Sequence, residues 1–404
     1  MKLSKRKLLC AVATIASTLA LVAAPTAGAS PKDEPDMHGN KHKVCAAPTE
    51  TEAGCTIELD SRPGGTPTGT SNTSPNGFGP AQFHGAYNVP TASVRSDMTI
   101  AVIVGYDNPN AKADLDVYNA AMGLPAFPSC SSTVTTACFQ KVKQKSSIST
   151  NESWILESSE DVQTTHQMCQ NCKILLVEAT TSQISNLMWA VDTAVSMGAQ
   201  VVNTSWGFTE SSTTLSNDSH FNHPGVAFVA SSGDNGYGSH WPAASQYVTA
   251  VGGTTLTIDG LNNWVSETAW ASGGSGCSAY ETKPVFQTDT GCLKRSYADV
   301  AADADYAASG AAIYDSFGIN GNFYWLKVGG TSLAAPLVSG IYALGGVTPG
   351  LQQNSLPYLH GNATNLHDVL SGSNGSCGTY LCNAGIGYDG PTGLGTPNGV
   401  TAFQ

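Results

Sequence analysis

Charge is scarce in this chain. Asp, Glu, Lys and Arg make up only 12% of its residues, and basic residues are the minority, 18 against 30 acidic. The formal net charge of -12 repels phosphate backbones and anionic lipid, so nucleic acid is excluded as an expected partner. Apolar runs long enough to span a bilayer are also missing after the first 29 residues. No internal repeat occurs. What remains is a chain that is 41% hydrophobic over 404 residues, long enough for one large domain or two ordinary ones. Its 43 glycines and 20 prolines mark it as loop-rich and globular.

Residues 1–29, "MKLSKRKLLCAVATIASTLALVAAPTAGA", combine a basic start, an apolar stretch from Leu8 to about Ala24 and a small-residue end at Ala27-Gly28-Ala29. This is the pattern of a secretory signal peptide, and it predicts a secreted, extracellular protein with no membrane attachment once the signal is removed. The rival reading is an N-terminal membrane anchor, for which the apolar run is short. Removing Cys10 with the signal takes the cysteine count from 11 to an even ten, which in an exported protein favours disulfides over metal thiolates. Proximity pairs Cys45 with Cys55, Cys130 with Cys138, Cys169 with Cys172, Cys277 with Cys292 and Cys377 with Cys382, although spacing alone does not fix connectivity.

Residues 30–75 are rich in Pro, Thr, Ser and Gly, as in "SRPGGTPTGTSNTSPNG", a composition that buries too little apolar surface to order itself. A linker or short pro-segment remnant is expected there. From residue 76 the chain changes character. "MTIAVIV", "KILLVEA", "QVVNTSW", "VAFVASS" and "YVTAVGG" are short, nearly continuous apolar runs, as buried parallel strands are. "AKADLDVYNAAMG", "SWILESSEDVQTTHQM" and "SQISNLMWAVDTAVSMG" carry helical periodicity between them. The alternation predicts an α/β fold over residues 76–404, a doubly wound, mostly parallel sheet with helices on both faces.

In such sheets ligands bind beyond the carboxyl ends of the strands. Two places qualify. "VASSGDNGYG" puts Asp234 in a glycine-flanked turn after a strand, and "VGGTSLAAP" puts Ser332 at the start of a helix. A serine there is either an N-cap or a nucleophile; Gly329, Gly330, Ala334 and Ala335 leave the openness a nucleophile needs. Its base has several candidates. His166 lies on a helix, and His240 follows Asp234 in a glycine loop. Glu157 and Asp161, four apart in "LESSEDV", share one helix face about 6 Å apart. Such a pair is either a solvated acidic face, which neighbouring Glu160 favours, or a proton-sharing couple with pKa values pushed apart. Trp206, after a strand, either lines a subsite or is a buried strand-end aromatic.

Together these segments resemble the sedolisins, serine-carboxyl peptidases with a subtilisin-like fold. "GGTSLAAP" is similar to the family's Gly-Thr-Ser-x-x-x-Pro nucleophile motif, "LESSEDV" to its Glu-x-x-x-Asp, and "SSGDNGYG" to the segment holding its oxyanion-hole aspartate. "GFGPAQFHGAYNVP" resembles the opening of family catalytic domains, so the resemblance spans residues 76–404. It implies a secreted, acid-active endopeptidase acting on protein or peptide substrates, expected as a monomer. Ser332 would be the nucleophile, Glu157 its base, Asp161 the group that orients Glu157, and Asp234, protonated, an oxyanion donor. Near the C-terminus, "HDVLSG" and "GIGYDGPTGLGTPNG" resemble the family's calcium loops. This implies one structural Ca²⁺ on the side chains of Asp368 and Asp389 with backbone oxygens of Val369, Gly385 and Gly387. Two departures stand out: the family's large prosegment is replaced by residues 30–75, and Glu160 sits between the paired acids.

The rival readings are a subtilisin-like Ser-His-Asp protease and a secreted, calcium-stabilised binding protein of the same fold. The first needs a His-Gly-Thr tripeptide opening a helix, which this sequence does not contain. The second leaves four matching site residues without a role. A glycoside hydrolase using the acidic pair would leave Ser332 and its glycines unexplained.

Overall fold

The apolar runs form neighbouring strands. The computed structural model describes residues 41–62, 66–67, 74–90, 95, 97–238, 240–318 and 325–404. The predicted signal segment lies outside the described residues. Strands β1 (Thr99–Gly105), β2 (Phe139–Lys143), β3 (Lys173–Ala179), β4 (Val201–Thr204), β5 (Ala227–Ser231), β6 (Thr249–Ile258), β7 (Trp264–Ala269) and β8 (Val300–Asp303) make an eight-stranded sheet. Their order is β7-β6-β5-β4-β1-β3-β2, with β8 also paired to β6. All neighbours run parallel except β7, which returns antiparallel beside β6. Helices α1 (Ala111–Met122), α2 (Glu152–Met168) and α3 (Ile184–Ser196) fall where periodicity places them, and α4 (Thr331–Gly345) follows later. This is a subtilisin-like α/β fold, as expected. Strand β2 has no apolar run to announce it. It is an edge strand, half-buried along most of its length, so "FQKVK" needs little hydrophobicity.

The strand order explains where a site forms. The chain steps from β1 out to β2, back through β3, then across to β4 and β5, so β1 is the point where the winding reverses. Strands β4 and β5 are parallel neighbours on one side of that point, so the loops leaving them lie side by side at the carboxyl edge of the sheet. Helix α4 is buried along all fifteen residues, and α2 is buried from Trp154 to Met168. The two helices touch closely, because a Cβ at Gly340 on α4 would come within 2.3 Å of the Met168 Cβ on α2. That approach, which only glycine permits, sets one helix against the other.

The expected linker is ordered in part, and this corrects the reading of residues 30–75. Gly54–Cys55 pairs antiparallel with Gly207 and Trp206, and Glu58–Arg62 pairs antiparallel with Trp325–Gly329. Ala53, Thr56, Ile57, Glu58 and Leu59 are buried. Composition failed here because backbone pairing to existing strand edges, and not side-chain hydrophobicity, fixes the segment. The short run "CTIEL" at 55–59 supplies what apolar burial it needs. All five disulfides pair as sequence proximity proposed. Among the described residues no helix is long and apolar enough to cross a membrane.

Candidate active site

Ser332 is the second residue of α4, and the N-cap is Gly330, at φ 97°. The serine is therefore not the cap. Gly330 is required by crowding as well as by its positive φ, because a Cβ there would lie 2.0 Å from the Thr56 carbonyl oxygen and 2.7 Å from Asp234 Oδ2. Pro336, four residues on, has no N–H and so leaves the Ser332 carbonyl without its helical donor. The Ser332 hydroxyl lies 2.8 Å from Thr56 Oγ1 and 3.2 Å from the Ser205 carbonyl.

Helix α2 brings the carboxylates. Its first turn is fixed by Asn151, whose side chain accepts from the N–H groups of Ser153 and Trp154 at 3.1 and 3.3 Å. Two turns in, Glu157, Glu160 and Asp161 are all fully buried, which overturns the solvated-face reading of this acidic cluster. Asp161 Oδ1 accepts from Ser205 Oγ at 2.5 Å and from Asn203 Nδ2 at 2.9 Å. Asn203 in turn accepts from Ser339 Oγ at 3.0 Å, so this strand-end amide ties α2 to α4. Burial pushes the Asp161 carboxyl up to about 8 against the pull of those two donors. Burial and then the charge of Asp161 push Glu157 well above the ordinary carboxylate range, while the Ser332 hydroxyl and the Thr56 backbone draw it back. Glu160 is raised by burial and by repulsion from Glu157, Asp161 and Asp234, and its oxygens have no hydrogen-bond partner among the described residues.

Asp234 comes from the loop after β5. Its Oδ1 accepts from the Thr331 N–H and the Thr331 hydroxyl, both at 2.8 Å, and Gly233 N–H donates to the same hydroxyl at 3.1 Å. The loop is thereby latched to the start of α4, with Asp234 Oδ2 facing the gap at Gly330. The candidate site thus assembles Ser332, Glu157, Asp161 and Asp234 from α4, α2 and the loop after β5.

His240 and His166, the two histidines weighed as bases, do not join it. His240 is buried beside Gly207 and Gly233, its pKa lowered to about 4 by desolvation, and no hydrogen bond links it to Ser332. His166 faces Phe127, ring centroids 4.0 Å apart, and burial lowers it to about 3. Trp206 is buried and donates to the Ile103 carbonyl at 2.8 Å, so its role is structural. Sequence reasoning missed Asn203, Ser205, Thr331 and Thr56. The first three lie in "NTSWG" and "GGTS", beside residues already singled out, whereas Thr56 sat in the expected linker.

At the far end of the chain, Asp389 Oδ2 accepts from Gly385 N–H and Asp368 Oδ2 from Gly387 N–H, each at 2.9 Å. Asp389 Oδ1 also accepts from Thr392 N–H and hydroxyl at 2.9 Å. Burial first, and the neighbouring Asp368 charge last, raise Asp389 to about 7 against these donors. Asp368 Oδ1 is buried and has no hydrogen-bond partner among the described residues. Two adjoining carboxylates with one bare buried oxygen are a donor set that a hard cation suits.

The buried groups make stability depend on pH with a definite sign. A carboxyl raised in the folded state binds its proton more tightly there, so its contribution is complete below its unfolded pKa and is lost as pH rises through the folded value. The buried histidines work oppositely, and their effect is complete above about pH 6.5. Just above that pH the raised carboxyls act, including Asp161 at about 8, Glu281 at about 9 and Glu178 at about 7. The melting temperature is expected to fall by on the order of 10 °C between about pH 6.5 and 8.5. Scanning calorimetry at constant ionic strength checks this, and a flat or rising trend contradicts it.

Known proteins place this geometry. The model of the subtilase family matches residues 149–368, from the start of α2 through α4 to Asp368. The chain belongs to the subtilase family. Among other subtilases it is similar to sedolisin from Pseudomonas sp. (strain 101), 29% identical over 79% of this chain and 60% of that protein. It is also similar to kumamolisin from Bacillus sp. (strain MN-32), 26% identical over 83% of this chain and 64% of that one. The chain therefore spans less than two thirds of the length of these relatives. A solved structure of Pseudomonas sedolisin, a serine-carboxyl proteinase complexed with two molecules of pseudo-iodotyrostatin, superimposes with a TM-score of 0.67 at 28% identity. That match covers 80% of this chain and 96% of the other. Within the subtilase family, the likeness to sedolisin thus holds in both sequence and fold.

Proposed function

We propose that this subtilase is a secreted serine-carboxyl endopeptidase that works in acid. The observation that carries the reading is the shared burial of Ser332 with Glu157 and Asp161, with no histidine bonded to the serine among the described residues. Two repelling carboxyls in one dry site hold a single proton between them over a wide pH range, and the pair titrates in two coupled steps. Water or substrate polar groups reaching the pair relieve the desolvation that raises it, so that the first proton leaves in acid and Glu157 accepts from the Ser332 hydroxyl while Asp161, held by Ser205 and Asn203, keeps its place. Attack on a peptide carbonyl gives an acyl-enzyme, and Glu157 returns the proton to the leaving nitrogen. The Ser332 N–H and Asp234 Oδ2 border the pocket where negative charge develops. Asp234 donates there only when protonated, because an ionised carboxylate has no proton to give.

Calcium belongs to the proposal as a structural ion. Asp368 and Asp389, with the backbone of Val369, Gly385 and Gly387, would hold it, and the ion would neutralise the two carboxylates and pin the C-terminal loops.

The test is hydrolysis of denatured casein from about pH 3 to 9. Activity is expected in the acidic half, falling at least tenfold by about pH 8 as the oxyanion donor loses its proton. A maximum at or above pH 8 would overturn the carboxyl mechanism.

A further inference from the structure

Beside the candidate site, the imidazole of His240 is wedged between two glycines that belong to different walls of it. A Cβ at Gly207 would lie 2.1 Å from His240 Cε1, and one at Gly233 would lie 3.0 Å from His240 Nδ1. Gly207 is therefore closed to any side chain while the ring is in place. Gly207 stands two residues after Ser205, and Gly233 immediately before Asp234. The ring thus spaces the backbone carrying Ser205, the donor to Asp161, from the loop carrying Asp234, which is latched to Thr331.

The backbone under the ring is firmly fixed. His240–Trp241 pairs antiparallel with Thr209 and Phe208. The Trp241 ring packs against Phe208 and Phe221, with centroids 5.8 and 5.4 Å away, and its Nε1 donates to Asp218 Oδ1 at 2.9 Å. The imidazole itself is held lightly. The Ser231 carbonyl, at the end of β5, accepts from it, and Nδ1 has no hydrogen-bond partner among the described residues. His240 keeps 7% of its surface exposed, so the ring meets solvent on one side.

A neutral ring fits this seat and a charged one does not. One N–H serves the Ser231 carbonyl, whereas a proton on Nδ1 makes a desolvated N–H with no acceptor. Burial first, and the charge of Lys43 last, hold the His240 pKa down at about 4 against the Ser231 carbonyl. The other titratable groups on the surrounding segments have partners of their own. Glu210, next to Thr209, accepts from the Ser278 hydroxyl and the Ala279 N–H, and Asp234 accepts from Thr331. The Tyr297 hydroxyl receives the His240 backbone N–H and donates to the Gly238 carbonyl.

We propose that His240 is a positioning residue for peptide hydrolysis: its neutral imidazole sets the spacing of the Ser205 and Asp234 segments, and taking up a second ring proton unseats it and shuts activity off on the acid side. The inference rests on the peptidase reading above. The effect passes through Asp161 and Asp234, since no hydrogen bond joins His240 to Ser332 among the described residues. A ring displaced toward solvent leaves Gly207 and Gly233 without their spacer. The Ser205 hydroxyl and the Asp234 carboxyl then lose the fixed placement that stabilising a transition state requires.

The experiment measures kcat and KM for a reporter peptide from about pH 2.5 to 6 on folded wild type, His240→Gln and His240→Ala. Glutamine keeps an N–H donor for the Ser231 carbonyl and takes up no proton in this range. The wild type is expected to lose at least about tenfold in kcat between about pH 5 and 3, with KM changing less than about threefold. In His240→Gln the acid limb should move about one pH unit or more lower, leaving only the fall set by the carboxyl pair. In His240→Ala, where the spacer is gone, kcat at about pH 5 should drop by about tenfold or more and the acid limb should move in the same way. If one variant does not fold, the acid limb of the other decides the matter. An acid limb that coincides in wild type and a folded variant overturns this inference and leaves the peptidase reading standing. A folded wild type that hydrolyses the peptide at no pH overturns both.

Discussion

Ser332→Ala is expected to lower kcat/KM for peptide hydrolysis by about 10⁴-fold or more, with the protein folded and its stability within about 1 kcal/mol of wild type. Several contacts predict that separation of activity from folding. The backbone N–H of residue 332 keeps its bond to the Thr56 carbonyl, and the latch from Thr331 to Asp234 does not involve the hydroxyl. Thr56 Oγ1 retains Ser231 and the Ser205 carbonyl as neighbours. None of these groups is stranded, and what is lost is the nucleophile itself with the pull of its hydroxyl on Glu157. Steady-state rates with thermal melts check it. Hydrolysis within tenfold of wild type would place the nucleophile elsewhere.

Much of the fold is legible in the residues, for identifiable reasons. Strands β1, β3, β4, β5 and β6 are buried on both faces and so carry the continuous β-branched runs that declare parallel strands. Edge strand β2 is held by one neighbour and needs no such run, so it stays hidden. The acidic pair on α2 is visible as spacing. Its burial is not, because "ESSED" reads as a surface stretch, and only the packing of α4 through Gly340 shows that the helix is enclosed. Ser332 stands out by its glycines, and Asp234 by its turn. Asn203 and Ser205 gain meaning only when β4 ends against α2. The segment around Thr56 is the largest gap, since its order comes from backbone hydrogen bonds to edges contributed from far along the chain, and composition carries no trace of them.

Glu157→Gln tests the central claim, that a carboxylate takes the Ser332 proton. Glutamine fills the same volume but accepts no proton at any accessible pH, so general-base assistance is removed without a cavity. The loss of charge also relieves Asp161 and Glu160, both crowded by Glu157, so this variant should melt no lower than wild type above about pH 6.5. The decisive measurement is kcat/KM for a reporter peptide across about pH 3 to 9, taken on folded wild type and Glu157→Gln side by side. An acid-limited wild-type profile with a fall of about 10³- to 10⁴-fold in the variant at every pH is the expected result. Activity within tenfold of wild type in a folded Glu157→Gln would contradict the account and move the base to a histidine, His240 first.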